Sequence, residues 1–298
     1  MNSILKYFIF SIFILFFSCK KDKTFPPIPP IEPQKIVEVP NLLNEISGLI
    51  FQNDTTLFAH NDSGNEPYIY EVSLNEKRVN RAIKISNVVN LDWEDITQDQ
   101  QYIYIADTGN NLGGRKNLKI LKILKTDVFS LDSVQADSIT FAYEDQTDFT
   151  LSNNHNFDCE AIISIDNQLF LFSKNRADFK TKIYSLPKIP GNYNAELIDE
   201  FDVEGLITGA SINESKNVIV LLGYNNDGTT FQPFIWFFYE FEGKDFFNGK
   251  KRKLELTFEG QLEAITFGKD DNLYFSSESE SGNEVQFIYH ININELLN

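Results

Sequence analysis

The sequence predicts an all-β domain closed into a ring of repeated antiparallel units, a β-propeller, on three observations. A short phrase returns five times, a polar or acidic residue, then a small residue or Asp, then an apolar strand: Ser47-Gly48-Leu49, Glu94-Asp95-Ile96, Glu160-Ala161-Ile162, Thr208-Gly209-Ala210 and Glu263-Ala264-Ile265. In each copy a second apolar run peaks ten or eleven residues later, at Phe58, Tyr104, Phe170, Ile219 and Tyr274, and a third follows at 68–72, 118–123, 182–186, 234–241 and 287–291. Aromatic residues dominate the runs, with 27 Phe and 12 Tyr, while Asn, Asp, Gly and Ser fill the gaps. A period of about fifty residues made of several short strands is the signature of a propeller, and the composition is that of strands and turns.

Taken in chain order, the first 18 residues stand outside the fold: Lys6, the apolar run 7–17 and then Ser18-Cys19 read as a secretory signal too short to span a bilayer. Phe16-Phe17-Ser18-Cys19 resembles the lipobox of bacterial lipoproteins, which makes a lipidated Cys19 the expected mature N-terminus. Residues 19–34 carry Lys20, Lys21 and Lys23 and then Pro26, Pro27, Pro29, Pro30 and Pro33. Such a stretch is an extended, semi-rigid spacer that holds a domain off a membrane. The expected location is the bacterial cell envelope, on the outer membrane.

The propeller is expected over residues 35–298 as one domain. Asn167 separates 162–165 from 169–172, and 269–272 separates 265–267 from 273–275, as tight hairpins do. More polar fourth strands are expected at 81–86, 138–143, 196–203 and 253–258, and the fifth at 35–39, where the N-terminal strand closes the ring against the C-terminal one. That makes five blades, or six if 127–136 or 246–251 hides a further unit. A helical solenoid needs apolar spacings of three and four over long stretches, which these β-branched runs lack. With Cys159 the one thiol beyond Cys19, no disulfide framework staples the domain, and the core must stabilise it. A formal charge of −17, or −18 without the leader and its Lys6, repels nucleic acid and attracts cations or basic partners. The domain is expected to be a monomer.

Ring symmetry brings the marked residues Ser47, Glu94, Glu160, Thr208 and Glu263 to one mouth of the channel. Three crowded carboxylates demand a positive charge. Oxygen-only donors of variable reach suit Ca²⁺ better than Mg²⁺, and His60, His155 and His290 are placed too unevenly for zinc. The alternative for each Glu is a strand-end residue paired with backbone amides or with Lys and Arg. The loops after the second strands face the same mouth, and they offer His60, Asn61, Asp62, Asp107, Asn110, Lys174 and Arg176. Acidic groups for metal or water beside basic groups for an anion are what a phosphate-handling site needs. Asp62 and Asp107 are the candidate catalytic groups; His60, Asn61, Asn110, Lys174 and Arg176 are candidate substrate contacts. His60 and Ser63 are too close in one turn for a Ser-His-Asp arrangement. Gly109, Gly113 and Gly114 lack the spacing of a phosphate loop, Asn225-Asn226-Asp227-Gly228 lacks the downstream Glu of an EF-hand, and Cys159 reads as a packed thiol.

On these residues the chain resembles the calcium-activated nucleotidases (apyrases), whose blades begin with Ser, Glu, Glu, Ser and Glu around an axial calcium ion. Here the positions read Ser47, Glu94, Glu160, Thr208 and Glu263, with one change that keeps a hydroxyl; Glu45-Ile46-Ser47-Gly48-Leu49 is similar to that family's first blade. Asn90-Leu91-Asp92-Trp93 departs from its approach to the second-blade Glu. Through Asp92-Trp93-Glu94-Asp95 and Asp107-Thr108-Gly109-Asn110-Asn111 the chain also resembles a broader group of bacterial secreted propellers. The resemblance implies a five-bladed fold, a calcium ion and hydrolysis of nucleoside phosphates by a calcium-held water. Two other functions stay open: a non-catalytic scaffold, with a structural calcium, that grips a protein or glycan, and glycan cleavage by paired carboxylates.

Overall fold

The computed structural model describes residues 28–43, 45–226, 230–258, 260–277, 286–294 and 296. The leader, Cys19 and the start of the spacer lie outside the described residues. No helix among those described is long and apolar enough to cross a membrane.

Strand β1 (Gln34–Glu38) precedes a first meander, β2 (Ile46–Asn53), β3 (Thr56–Asn61), β4 (Tyr68–Ser73) and β5 (Arg78–Ile85). The second meander is β6 (Trp93–Gln98), β7 (Tyr102–Asp107), β8 (Lys119–Leu124) and, after helix α1 (Lys125–Ser130) and the short β9 (Ser133–Val134), β10 (Ala136–Tyr143). The third is β11 (Cys159–Ile165), β12 (Gln168–Ser173), β13 (Thr181–Pro187) and β14 (Gly191–Phe201); the fourth is β15 (Leu206–Asn213), β16 (Val218–Asn226), β17 (Phe231–Tyr239) and β18 (Lys250–Glu255). Last come β19 (Leu262–Phe267), β20 (Asn272–Ser277) and β21 (Phe287–Asn292), and β1 returns to pair antiparallel with β21, Gln34 opposite His290. Strands from the two ends thus share one sheet, which leaves no open seam. The first strands touch in a closed circle, β2 on β6, β6 on β11, β11 on β15, β15 on β19 and β19 on β2. This is a β-propeller.

The core explains why the strands read as apolar runs rather than as alternation. Each sheet is covered on both faces by its neighbours, so both sets of alternating side chains are buried. On β7, Ile103 and Ile105 pack with Phe58 and Ile69 of the first meander, whereas Tyr104 and Ala106 pack with Ile162 and Leu169 of the third. Equivalent clusters fill the remaining gaps, the last joining Val37 and Ile288 to Leu49 and Leu57.

Two features go beyond a simple ring. The outer strands β10 and β14 pair in parallel, Ile139 opposite Gly191, which merges the second and third meanders into one sheet of eight strands. Segment 127–136 forms the end of α1, β9 paired to β5, and the first residue of β10; 246–251 forms a turn entering β18. The packed chain also begins ahead of Lys35: Ile28 is buried against the fourth and fifth meanders and Ile31 bridges Leu256.

Candidate functional site

Every marked residue sits at an irregularity in its strand. The ladder shifts register between Ile46 and Gly48, Trp93 and Ile96, Cys159 and Ala161, Ile207 and Gly209, and Leu262 and Ala264, so Ser47, Glu94, Glu160, Thr208 and Glu263 are each skipped by the pairing. A bulge turns the skipped side chain out of the sheet plane, toward the channel mouth for Ser47, Glu94, Glu160 and Glu263. The residue after the bulge faces the axis, where the strands come closest. A Cβ on Gly48 would strike the His60 ring and Ile96, which is why that position is small.

Asp95 breaks the small-residue rule and forms the floor of the mouth. Its side chain is fully buried; Oδ1 accepts the Ile96 amide at 2.8 Å, and Oδ2 accepts Ile162 N at 2.8 Å and Ala210 N at 3.4 Å. One carboxyl therefore ties the second, third and fourth meanders. Burial pushes its pKa well above the usual carboxylate range, against the pull of those amides.

Above this floor lies a cavity of about 190 Å³, lined by Ser47, Glu94, Glu160 and Glu263, by Asp62, Asn111, Lys174, Arg176 and Tyr224 from the loops and ends of the second strands, and by Glu45, Ile46 and Gln261. Thr208 is not in this lining. Its hydroxyl donates to the Leu262 carbonyl, Ser47 Oγ donates to the Glu94 carbonyl at 2.6 Å, and Thr108 Oγ1 to the Cys159 carbonyl at 2.7 Å. Two of these hydroxyls tie an inner strand to the next, β15 to β19 and β2 to β6, and the third ties the end of β7 to β11. The expected five-oxygen axial set is thus not what surrounds the cavity.

The carboxylates differ in their partners. Glu160 Oε2 is 2.5 Å from Lys174 Nζ and Oε1 is 3.5 Å from Arg176 Nη2. Asp158 takes Arg176 Nη1 and, at 2.6 Å, the Asn110 amide. Burial raises the Glu160 pKa and Lys174 opposes the rise. The carboxylate of Glu94, a residue 6 % exposed, has no hydrogen-bond or ion-pair partner among the described residues. Burial, then the charges of Glu160, Asp62, Asp158 and Asp92, push its carboxyl well above the usual range. Asp92 is raised as well, by burial, with Arg115 pulling the other way from 4.0 Å.

Asp62, Asp92 and Glu94 each bring one carboxylate oxygen within 4.8 Å of the others, and Glu94, Asp158 and Glu160 do the same. In the second group Glu160 and Asp158 are already paired with Lys174 and Arg176. The first leans on Gly109, whose Cα lies against the Glu94 and Asp92 carboxylates so closely that a Cβ would collide with both. A cradle that excludes a side chain, closed by a buried acid with no counter-charge among the described residues, fits a hard cation held by oxygen donors.

The other expected contacts are placed behind the walls. Asp107 is fully buried and bound to Arg115 Nη2 at 2.7 Å, with Lys119 Nζ at 3.5 Å. It is structural here, not a group facing the cavity. His60 packs edge-on against Trp93 at 5.5 Å, and burial lowers its pKa to about 4. Asn61 Nδ2 holds the Leu42 carbonyl at 2.9 Å and Asn110 Nδ2 the Phe157 carbonyl at 2.7 Å. Of the loop residues singled out from sequence, Asp62, Lys174 and Arg176 face the cavity. Asp92, Asp95, Asp158 and Tyr224 were missed; for Asp95 the signal was a carboxylate at a position that is otherwise Gly or Ala.

Compared with known proteins, the sequence matches no family model and no curated protein. Solved structures do match in fold. A glucose dehydrogenase superimposes with a TM-score of 0.51 at 8 % identity, covering 87 % of this chain and 99 % of that one. The PQQ-bound aldose sugar dehydrogenase of Streptomyces coelicolor gives 0.50 at 11 % identity, with 88 % and 99 % covered. The Cps50 β-propeller domain of Myceliophteria thermophila gives 0.43 at 9 % identity, with 87 % and 100 % covered. At such identities the likeness is one of fold.

Proposed function

We propose that the mouth of this propeller, five-bladed by the count of its meanders, holds a hard divalent cation, Ca²⁺ by its donor set, at Asp62, Asp92 and Glu94. With the ion it takes a phosphate-bearing small molecule, a nucleotide or phosphoester, which it hydrolyses. The chain is held at the bacterial outer membrane by a lipid on Cys19. A chain carrying Cys19→Ala that stays in the membrane fraction would remove the anchor.

The observation that carries the site reading is Glu94. A carboxylate this buried costs several kcal/mol unless a cation compensates it, and the charges that act on it most strongly, those of Glu160, Asp62, Asp158 and Asp92, are negative. The cavity lining holds five acids, Glu45, Asp62, Glu94, Glu160 and Glu263, against Lys174 and Arg176. A bare phosphate is repelled by that balance and enters only with a cation.

When bound, the ion supplies charge neutralisation at a phosphoryl oxygen and a more acidic bound water. The chain's own residues supply the rest. Asp62, Asp92 and Glu94 hold the ion, which makes Asp62 a ligand and leaves Asp107 as a wall residue. Arg176, 21 % exposed at the rim beside Asn111, offers planar N–H donors that orient a phosphate.

The test is phosphate release from nucleoside triphosphates and phosphomonoesters, with calcium and with chelator. The expected result is release that chelator abolishes and that Glu94→Gln loses together with calcium binding. A second reading rests on one observation, that Lys174 and Arg176 are already paired with Glu160 and Asp158. In it the ion is structural and the face is a scaffold for a protein or glycan. Calcium binding without turnover selects that reading, and the absence of calcium binding ends both.

A further inference from the structure

The lining of the mouth already carries a positive charge. Lys174 is 5 % exposed, its Nζ is 2.5 Å from Glu160 Oε2, and the ammonium stands 5.5 Å from the centre of the Tyr224 ring. Burial works against the charged lysine, but Glu160 and Glu263 outweigh it and raise its pKa well above the usual lysine range. Arg176 takes the other oxygen of Glu160 at 3.5 Å. Both oxygens of that carboxylate are thus engaged by cations that belong to the chain.

We propose that Lys174 is the resident counter-ion of the ring. Its tethered ammonium neutralises Glu160 and Glu263 where a ring of glutamates would otherwise admit a metal, and so confines the mouth to one divalent ion on the Glu94 side. A divalent ion on the axis would have to share Glu160 with an ammonium and a guanidinium, each repelling it through a poorly screened interior. A tethered cation also loses less freedom on binding than an ion taken from solution. The axial ion implied by the resemblance to the calcium-activated nucleotidases is therefore replaced here by a side chain. The inference rests on the proposed cation site for its stoichiometry, and on the placement of Lys174 alone for the identity of the charge that meets Glu160.

Calcium titration of the full chain by calorimetry tests it. The wild type is expected to bind one ion and Lys174→Met two, the added ion being lost again in the Lys174→Met/Glu263→Gln double variant. Glu263→Gln alone should keep the wild-type ion within about three-fold in affinity, whereas Glu94→Gln should lose it by about ten-fold or more. A Lys174→Met chain with the wild-type stoichiometry overturns the proposal, as does loss of the ion in Glu263→Gln. If the wild type binds no calcium, the site reading fails, while a calcium ion gained by Lys174→Met still supports the resident role. Should Lys174→Met not fold in chelator, recovery of its fold by millimolar calcium supports the proposal and failure to recover overturns it.

Discussion

The two lips of the mouth are made from the same parts and reach opposite electrostatic states. On the third meander, Glu160 leaves a bulge in β11 and meets Lys174 and Arg176 from the loop after β12. On the second, Glu94 leaves a bulge in β6, but the loop after β7 presents Gly109 to it, and the cation of that loop, Arg115, is bound to Asp107. The same strand position is thus a closed ion pair on one side and an uncompensated acid on the other. The loop composition decides which carboxylate is paired within the fold and which is not, among the described residues.

The change with the largest expected effect removes the floor that both lips share. Asp95→Ala strips the acceptor from the amides of Ile96, Ile162 and Ala210. Each buried amide left unpaired costs about 1–3 kcal/mol, so a loss on the order of 3 kcal/mol or more is expected. Chemical denaturation should show a lower midpoint with an unchanged slope. A loss below about 1 kcal/mol would mean that Asp95 does not tie the meanders.

Next is one isosteric substitution applied to both lips. Glu160→Gln leaves Lys174 buried without its closest counter-charge, a loss of about 3 kcal/mol by the measure of broken buried pairs. Glu94→Gln removes a repelled charge and should leave stability unchanged or raise it by about 1 kcal/mol in chelator. Both acids are held above the ordinary range, Glu160 at about 8, so both feed the pH dependence. Glu94 is held above its ordinary 4.5, so the folded chain keeps a proton that the unfolded chain has released. Stability should therefore fall as pH rises from about 4.5 toward the folded value and level off above it, and Glu94→Gln should flatten that limb. Equal signs for the two variants would erase the contrast between the lips.

How much of this was legible depended on whether one strand or two had to be read. The inner strands were visible because both faces of each are apolar, and the closing strand because 35–39 repeats the polar pattern of the fourth strands. The mouth was visible in outline, since Ser47, Glu94, Glu160 and Glu263 hold one register. The bulges were not, because a skipped residue shows only when the partner strand is aligned. The roles of Lys174 and Asp107 were hidden for the same reason. Lys174 meets Glu160 across a hairpin, and Asp107 is neutralised by Arg115 and Lys119 on the return arm. The merged sheet of β10 and β14 depends on parallel pairing between neighbouring units, which a repeat pattern does not encode.

A smaller effect on stability, but one confined to a single lip, is expected from Gly109→Ala. The added Cβ must displace the flexible ends of Glu94 and Asp92 and spreads the donor set. Calcium affinity should drop by about ten-fold while stability changes by less than about 1 kcal/mol. A full loss of fold would show instead that Gly109 serves the loop rather than the cradle.

The smallest effect asks whether the hydroxyls of the ring belong to the site at all. Thr208 donates to the Leu262 carbonyl in the neighbouring inner strand and lies outside the cavity lining. Thr208→Val keeps the shape and deletes one buried hydrogen bond, a loss of about 1 kcal/mol. Calcium affinity should not change, because the proposed ligands are Asp62, Asp92 and Glu94. If Thr208→Val weakens calcium binding as Glu94→Gln does, the oxygens act as one ring around a shared axis, and the distinction between the two lips falls with it.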